Sequence, residues 1–167
     1  MTTSPHRSPQ LKLKLDSAAV DPASRWHDGA ALAFLGDSLR LVLGTQHQEA
    51  LREGDTLDLP LPPQATPRQI QDRAEAWLRD EAKRLLLQVI EQKSALAGRR
   101  APRLALSFAA RGHWVEVQGD DSLRCNWRLI EQPMAVIEQT IARAIASLPP
   151  ENKGFDLFGN LSITPAG

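Results

Sequence analysis

Between Thr66 and Gly98 the chain carries one long amphipathic segment with its own start and stop signals, and any fold must give its apolar face a partner surface. Thr66-Pro67-Arg68-Gln69 opens it with a capping hydroxyl, a proline at the first helical position and a glutamine at the third, the pattern of a capping box. Ile70, Ala74, Trp77, Leu78, Leu85 and Val89 then recur at helical spacing with charged residues between them. Trp77 is read as a core anchor and Gly98 as the stop. A second helix is expected behind Pro133, with Ile137, Ile141, Ala144, Ile145 and Leu148 as its stripe and Pro149-Pro150 as its end.

Strand signals surround the long helix. Leu11, Leu13 and Leu15 alternate with Lys12 and Lys14, the period of a half-buried strand. Ala31 to Leu35 and Leu39 to Leu43, separated by Gly36-Asp37-Ser38, suggest a hairpin, and Thr56 to Leu61 a further strand, all in one antiparallel sheet. Beyond the helix, Arg103 to Phe108, His113 to Gln118 and Leu123 to Leu129 read as strands, with Phe108 and Trp114 as core residues. This order gives an α+β domain, a mainly antiparallel sheet packed against a long helix and a second helix. Met1 to Gln10, rich in Ser-Pro and poor in apolar residues, is expected to be a disordered tail.

Charge and cysteine content narrow the function classes. Twenty basic and 20 acidic residues cancel, so the total demands neither nucleic acid nor an anionic membrane. Cys125, the single cysteine, cannot form an internal disulfide. No apolar run approaches the length of a membrane span, and the first ten residues hold no secretory h-region. A cytoplasmic protein with no membrane partner is expected.

Trp114 is followed, 12 residues on, by Asn126-Trp127-Arg128-Leu129, then by Pro133 and Val136-Ile137-Glu138. This frame resembles the YgjP-like family of zinc metallopeptidases, zincin-type relatives of SprT-like proteases. There a Trp-Gly-Ser-Cys segment precedes Asn-Trp-Arg-Leu, and a helix bearing His-Glu-Leu-Ala-His follows. Asp28-Gly29, Leu35-Gly36 and the helix around Trp77 extend the resemblance over roughly Trp26 to Phe158. It implies a small zincin-like domain over residues 11–158, with 159–167 as a C-terminal tail, and Trp114, Asn126, Trp127 and Arg128 as structural motif residues.

The family's chemistry needs two histidines at i and i+4 on one helical face to hold zinc, with a glutamate between them as general base on the bound water. The resemblance places Arg143 and Ser147 at the two histidine positions, Ala144 at the glutamate and Lys153 at a third ligand. Arginine offers no lone pair and alanine no titratable group, and serine is a poor zinc ligand. The Trp-Gly-Ser-Cys segment has become Trp114-Val115-Glu116-Val117. The expectation is a kept fold without zinc or catalytic residues, which serves as a binding or scaffolding module for a protein partner.

Elsewhere the candidates are thinner. His6, His27, His47 and His113 have no four-residue helical spacing among them, and Cys125 reads as a buried, inert thiol. Arg143 and Glu116 form a candidate ion pair in place of the metal. Lys93, Arg99, Arg100, Arg103 and Arg111 make a basic stretch with no acid between Gln92 and Val115. A solvated helix end explains it, and a phosphate or nucleic-acid contact is the sharper alternative. A hydrolase with a rebuilt metal site is the other alternative.

Overall fold

A computed structural model describes residues 21–151. The tail at 1–10, the strand expected over Leu11–Leu15, Lys153 and the tail at 159–167 lie outside these residues. The described chain runs α1 (Pro22–Arg25), β1 (Ala31–Phe34), β2 (Asp37–Gly44), β3 (Leu51–Glu53), β4 (Thr56–Pro60), α2 (Pro67–Leu96), β5 (Arg103–Ser107), β6 (Val115–Gln118), β7 (Ser122–Asn126), a 3-10 helix (Trp127–Glu131) and α3 (Met134–Ala146). The fold is α+β, as expected. Its strands, however, form two sheets, and the chain divides into two compact units between Leu78 and Arg79, inside α2.

In the first unit the sheet order is β1-β2-β4-β3. β1 pairs antiparallel with β2 and β3 with β4, but β2 and β4 run parallel, from Arg40 opposite Thr56 to Gly44 opposite Pro60. The segment between Gly44 and Thr56 carries the chain back before β4 starts, so β4 leaves in the direction of β2. The hairpin turn sits at Leu35-Gly36, one residue earlier than the sequence suggests. Both residues have positive φ, 52° and 82°, as a two-residue type I′ turn requires, and this places Asp37 and Ser38 in β2. Asp28 fixes the other end of β2, its Oδ1 accepting from the Leu43 N–H at 3.0 Å.

Alternation sets the core of this unit. Leu32, Phe34, Leu39, Leu41, Leu57 and Leu59 are buried, while Ala31, Ala33, Ser38 and Arg40 face water. Ile70, Ala74 and Leu78 of α2 complete it, and Trp77 lies half-buried with its ring 5.3 Å from that of Phe34. The capping box forms in both directions: Gln69 N–H donates to Thr66 Oγ1 at 3.2 Å and Thr66 N–H to Gln69 Oε1 at 2.9 Å.

In the second unit β7 is central, parallel to β5 and antiparallel to β6. Leu123 and Cys125 point inward with Ala82, Leu86, Val89 and Ile90 of α2 and Ile137, Ile141 and Ile145 of α3. Within the run Leu85-Leu86-Leu87 the middle residue is the buried one, rather than Leu85. α2 ends as Gly98 suggests: with φ +69° there, Arg99 N–H reaches Ser94 O and Gly98 N–H reaches Ala95 O, both at 3.0 Å, a Schellman closure.

Two expectations fail in this unit. The strand read over Leu123 to Leu129 stops at Asn126, whose side chain caps a 3-10 helix through Arg128 N–H at 2.9 Å. Phe108 and Trp114 are exposed, 59% and 41%, because the loop between β5 and β6 holds them outside the sheet's inner face.

Candidate functional site

Of the residues that the resemblance marks as structural, Trp114 is exposed and only its carbonyl is used by Asn126, whereas Asn126, Trp127 and Arg128 have packing tasks. Asn126 is 5% exposed, and its side-chain oxygen and nitrogen and its backbone N–H are all used. Its Oδ1 accepts from Arg128 N–H, its Nδ2 donates to Ala109 O at 3.0 Å, and its backbone N–H donates to Trp114 O at 2.8 Å. One residue thus starts the 3-10 helix and ties down both ends of the 109–114 loop. Trp127, buried, has two guanidinium groups near its ring, Arg79 at 5.3 Å and Arg128 at 4.7 Å from the ring centre. Arg79 also stands 5.4 Å from the exposed ring of Phe108, which explains how that ring is used outside the core. Arg128 reaches Glu131 at 3.3 Å.

The last turn of α3 has a different character. Arg143 is exposed, Ala144 half-buried, and Ser147 the exposed C-cap with its hydroxyl donating to Ala144 O at 2.8 Å. Arg143 and Glu116 do not pair. No ion pair joins them among the described residues, both side chains are exposed, and strand register sets Glu116 opposite Arg124 instead. Two solvated charges gain little from approach, so nothing draws them together.

Space also rearranges the basic stretch. Lys93 lies 3.9 Å from Glu138, Arg100 4.0 Å from Glu151, and Arg103 3.2 Å from Asp121, while Arg99 donates to Pro149 O at 3.0 Å. Acids distant in sequence balance charges that the sequence shows as a run. Arg111 has no such partner among the described residues, and lines a hollow of about 130 Å³ with His113, Glu116 and Arg124. A second hollow, about 120 Å³, lies in the first unit, where His47 Nε2 is 3.8 Å from Asp58 Oδ2. His27 is exposed, its Nδ1 2.8 Å from Asp28 O. Cys125 is buried, and that burial pushes its thiol up to about 12. A group of three His, Cys, Asp or Glu side chains that could hold a metal is not found among the described residues, nor is a helix long and apolar enough to cross a membrane.

Residues 9–142 match the family described as YgjP-like, metallopeptidase domain. The chain belongs to this family. The match begins earlier than the resemblance at Trp26 and ends one residue before Arg143. No curated protein and no solved structure matches the chain.

The residues that the resemblance sets at the zinc positions, at the end of α3 and just past the family match, are not the donor set a zinc site needs. Arg143 carries five N–H donors and no acceptor, Ala144 has no polar side-chain group, and the neutral Ser147 hydroxyl, which donates to Ala144 O, is a poor zinc ligand. The sequence reading singled out Arg111 and His113 but passed over Arg124 and Ser107, which line the same hollow. Only the pairing of β6 with β7 brings Arg124 to Glu116, and no local pattern signals that register.

Proposed function

We propose that this YgjP-like domain has lost zinc hydrolysis and serves, in a reducing cytoplasmic setting, as a binding or scaffolding module for another protein. The observation that carries the reading is the donor set at 143, 144 and 147, which offers no zinc ligand of the family's kind on a helix whose packing is otherwise intact. Substitution of ligands and base together, with the buried stripe Ile137, Ile141 and Ile145 kept, is the pattern of a scaffold released from its chemistry. Support for a protein partner comes from the second unit, where β6 is an edge strand with Trp114 exposed just before it and Val117 part-exposed within it.

Metal analysis of full-length protein purified without added zinc tests this. Zinc far below one equivalent, with no hydrolysis of unstructured protein substrates that a chelator removes, is expected. Near-stoichiometric zinc together with a chelator-sensitive hydrolytic activity would overturn the reading.

A further inference from the structure

The hollow beside β6 and β7 brings together groups that the packing of the fold does not use. It lies on the outer face of the three-stranded sheet. In-register pairing sets Glu116 and Arg124 side by side there, Ser107 stands at the end of β5, and the 109–113 loop contributes Arg111 and His113. Arg111 and Arg124 have no carboxylate within ion-pair distance among the described residues, in contrast to Lys93, Arg100 and Arg103 of the same unit. Two guanidinium groups against the single carboxylate of Glu116 leave the lining positive. Ser107 Oγ accepts from Ala109 N–H at 3.3 Å, which leaves its hydroxyl proton available to a ligand.

The loop is also fixed in advance. Asn126 holds Ala109 O with its side chain and Trp114 O with its backbone, so the segment bearing Arg111 and His113 is anchored at both ends. An anchored loop loses little freedom when a ligand arrives, and this raises affinity for a given set of contacts. Guanidinium forks present paired N–H groups at the spacing of two oxygens on one carbon or phosphorus, so the ligand class they select is the oxyanion. The hollow of about 130 Å³ admits such a group with some of its hydration.

We infer that Arg111, Arg124, His113 and Ser107 form a binding site for a small oxyanion, the carboxylate or phosphate group of a ligand, with Glu116 limiting the charge it accepts. This site is separate from the zinc question and stands whether or not the domain hydrolyses anything.

Its test is a titration of the full-length protein, with chelator present and ionic strength held constant with chloride, using inorganic phosphate in one arm and acetate in the other. Backbone amide shifts of Arg111, Gly112 and His113 provide the readout. Saturable shifts confined to this loop and the adjoining strands are expected in at least one arm, and the arm that saturates identifies the class. Arg111→Ala and Arg124→Ala should each weaken binding about tenfold, the order of one charge-assisted hydrogen bond. Glu116→Gln should tighten it, while Arg103→Ala, whose arginine is paired with Asp121, should leave it unchanged. Linear shifts with both anions, or unaltered affinity in both Arg111→Ala and Arg124→Ala, would overturn the site. Because both arginines are exposed, their loss leaves the fold intact and the result interpretable.

Discussion

Segments 126–129 and 143–147 belong to one unit, the first inside the family match and the second just past its end, and they stand in opposite relations to packing. Asn126, Trp127 and Leu129 are buried, at 5%, 2% and 0% exposure, and Asn126 is bonded in three directions. Arg143 and Ser147 face solvent, and the hydroxyl of Ser147 merely closes the helix end. Residues that hold a structure are fixed by their neighbours, whereas residues that would hold a metal are fixed by the metal. Where the metal is no longer needed, the second set can change at little cost to the first.

Four measurements bear on this contrast. Trp127→Ala should have the largest effect, a loss of about 3–5 kcal/mol in denaturant unfolding, since it empties a buried site flanked by Arg79 and Arg128. A loss below about 1 kcal/mol would mean the retained segment is not what holds this unit together. Asn126→Ala should cost about 2–3 kcal/mol by removing a cap and leaving Ala109 O without its donor. Exchange at the Arg128 amide should accelerate in that variant, because its acceptor is the Asn126 side chain, and unchanged protection would separate the asparagine from the start of the 3-10 helix.

The third measurement concerns Cys125, next to the retained segment. Its folded-state value is raised from 9.0 to about 12 by desolvation, so between those values the unfolded chain releases a proton that the folded chain keeps. Stability contributed by this thiol is therefore complete below pH 9.0 and falls as pH rises toward about 12, by about 1.4 kcal/mol per pH unit. Unfolding of wild type compared with Cys125→Ala across that range checks the sign, and the chain has no tyrosine to obscure thiolate absorbance. A difference that stays flat with pH would contradict it. The smallest effect belongs to Arg143→Ala and Ser147→Ala, each expected within about 0.5 kcal/mol of wild type. A large loss in either would show that the end of α3 carries a structural task.

Legibility in the sequence followed the range of the interaction involved. The capping box at Thr66 and Gln69 and the stop at Gly98 are local, and both were readable because the residues that bond lie within a turn of each other. Pairing of β2 with β4 and of β5 with β7 in parallel was not readable, since it joins segments whose own patterns are indifferent to direction. β3, three residues long, is too short to show alternation, and Trp127 to Ile130 carries enough apolar residues to pass for a strand until the Asn126 cap is seen. The basic run from Lys93 to Arg111 illustrates the same limit for the site. Glu138, Glu151 and Asp121 balance three of its charges from well beyond the run, so the group that matters is the smaller one around Arg111 and Arg124. What the sequence offers at 143, 144 and 147 is side-chain chemistry alone: a protonated arginine and an alanine have no lone pair to give a metal, and a serine hydroxyl is a poor zinc ligand, in any fold.

Few side chains could stand in the place of Asn126. It must offer an oxygen to Arg128 N–H and an N–H to Ala109 O from the same short stem. Aspartate has the length but would set an oxygen against the Ala109 carbonyl, and glutamine has the groups but reaches one methylene too far. Serine and threonine carry a single polar atom where two contacts in different directions are needed. The alphabet at this position therefore shrinks to one letter, dictated by the separation of a helix start from a loop rather than by any reaction.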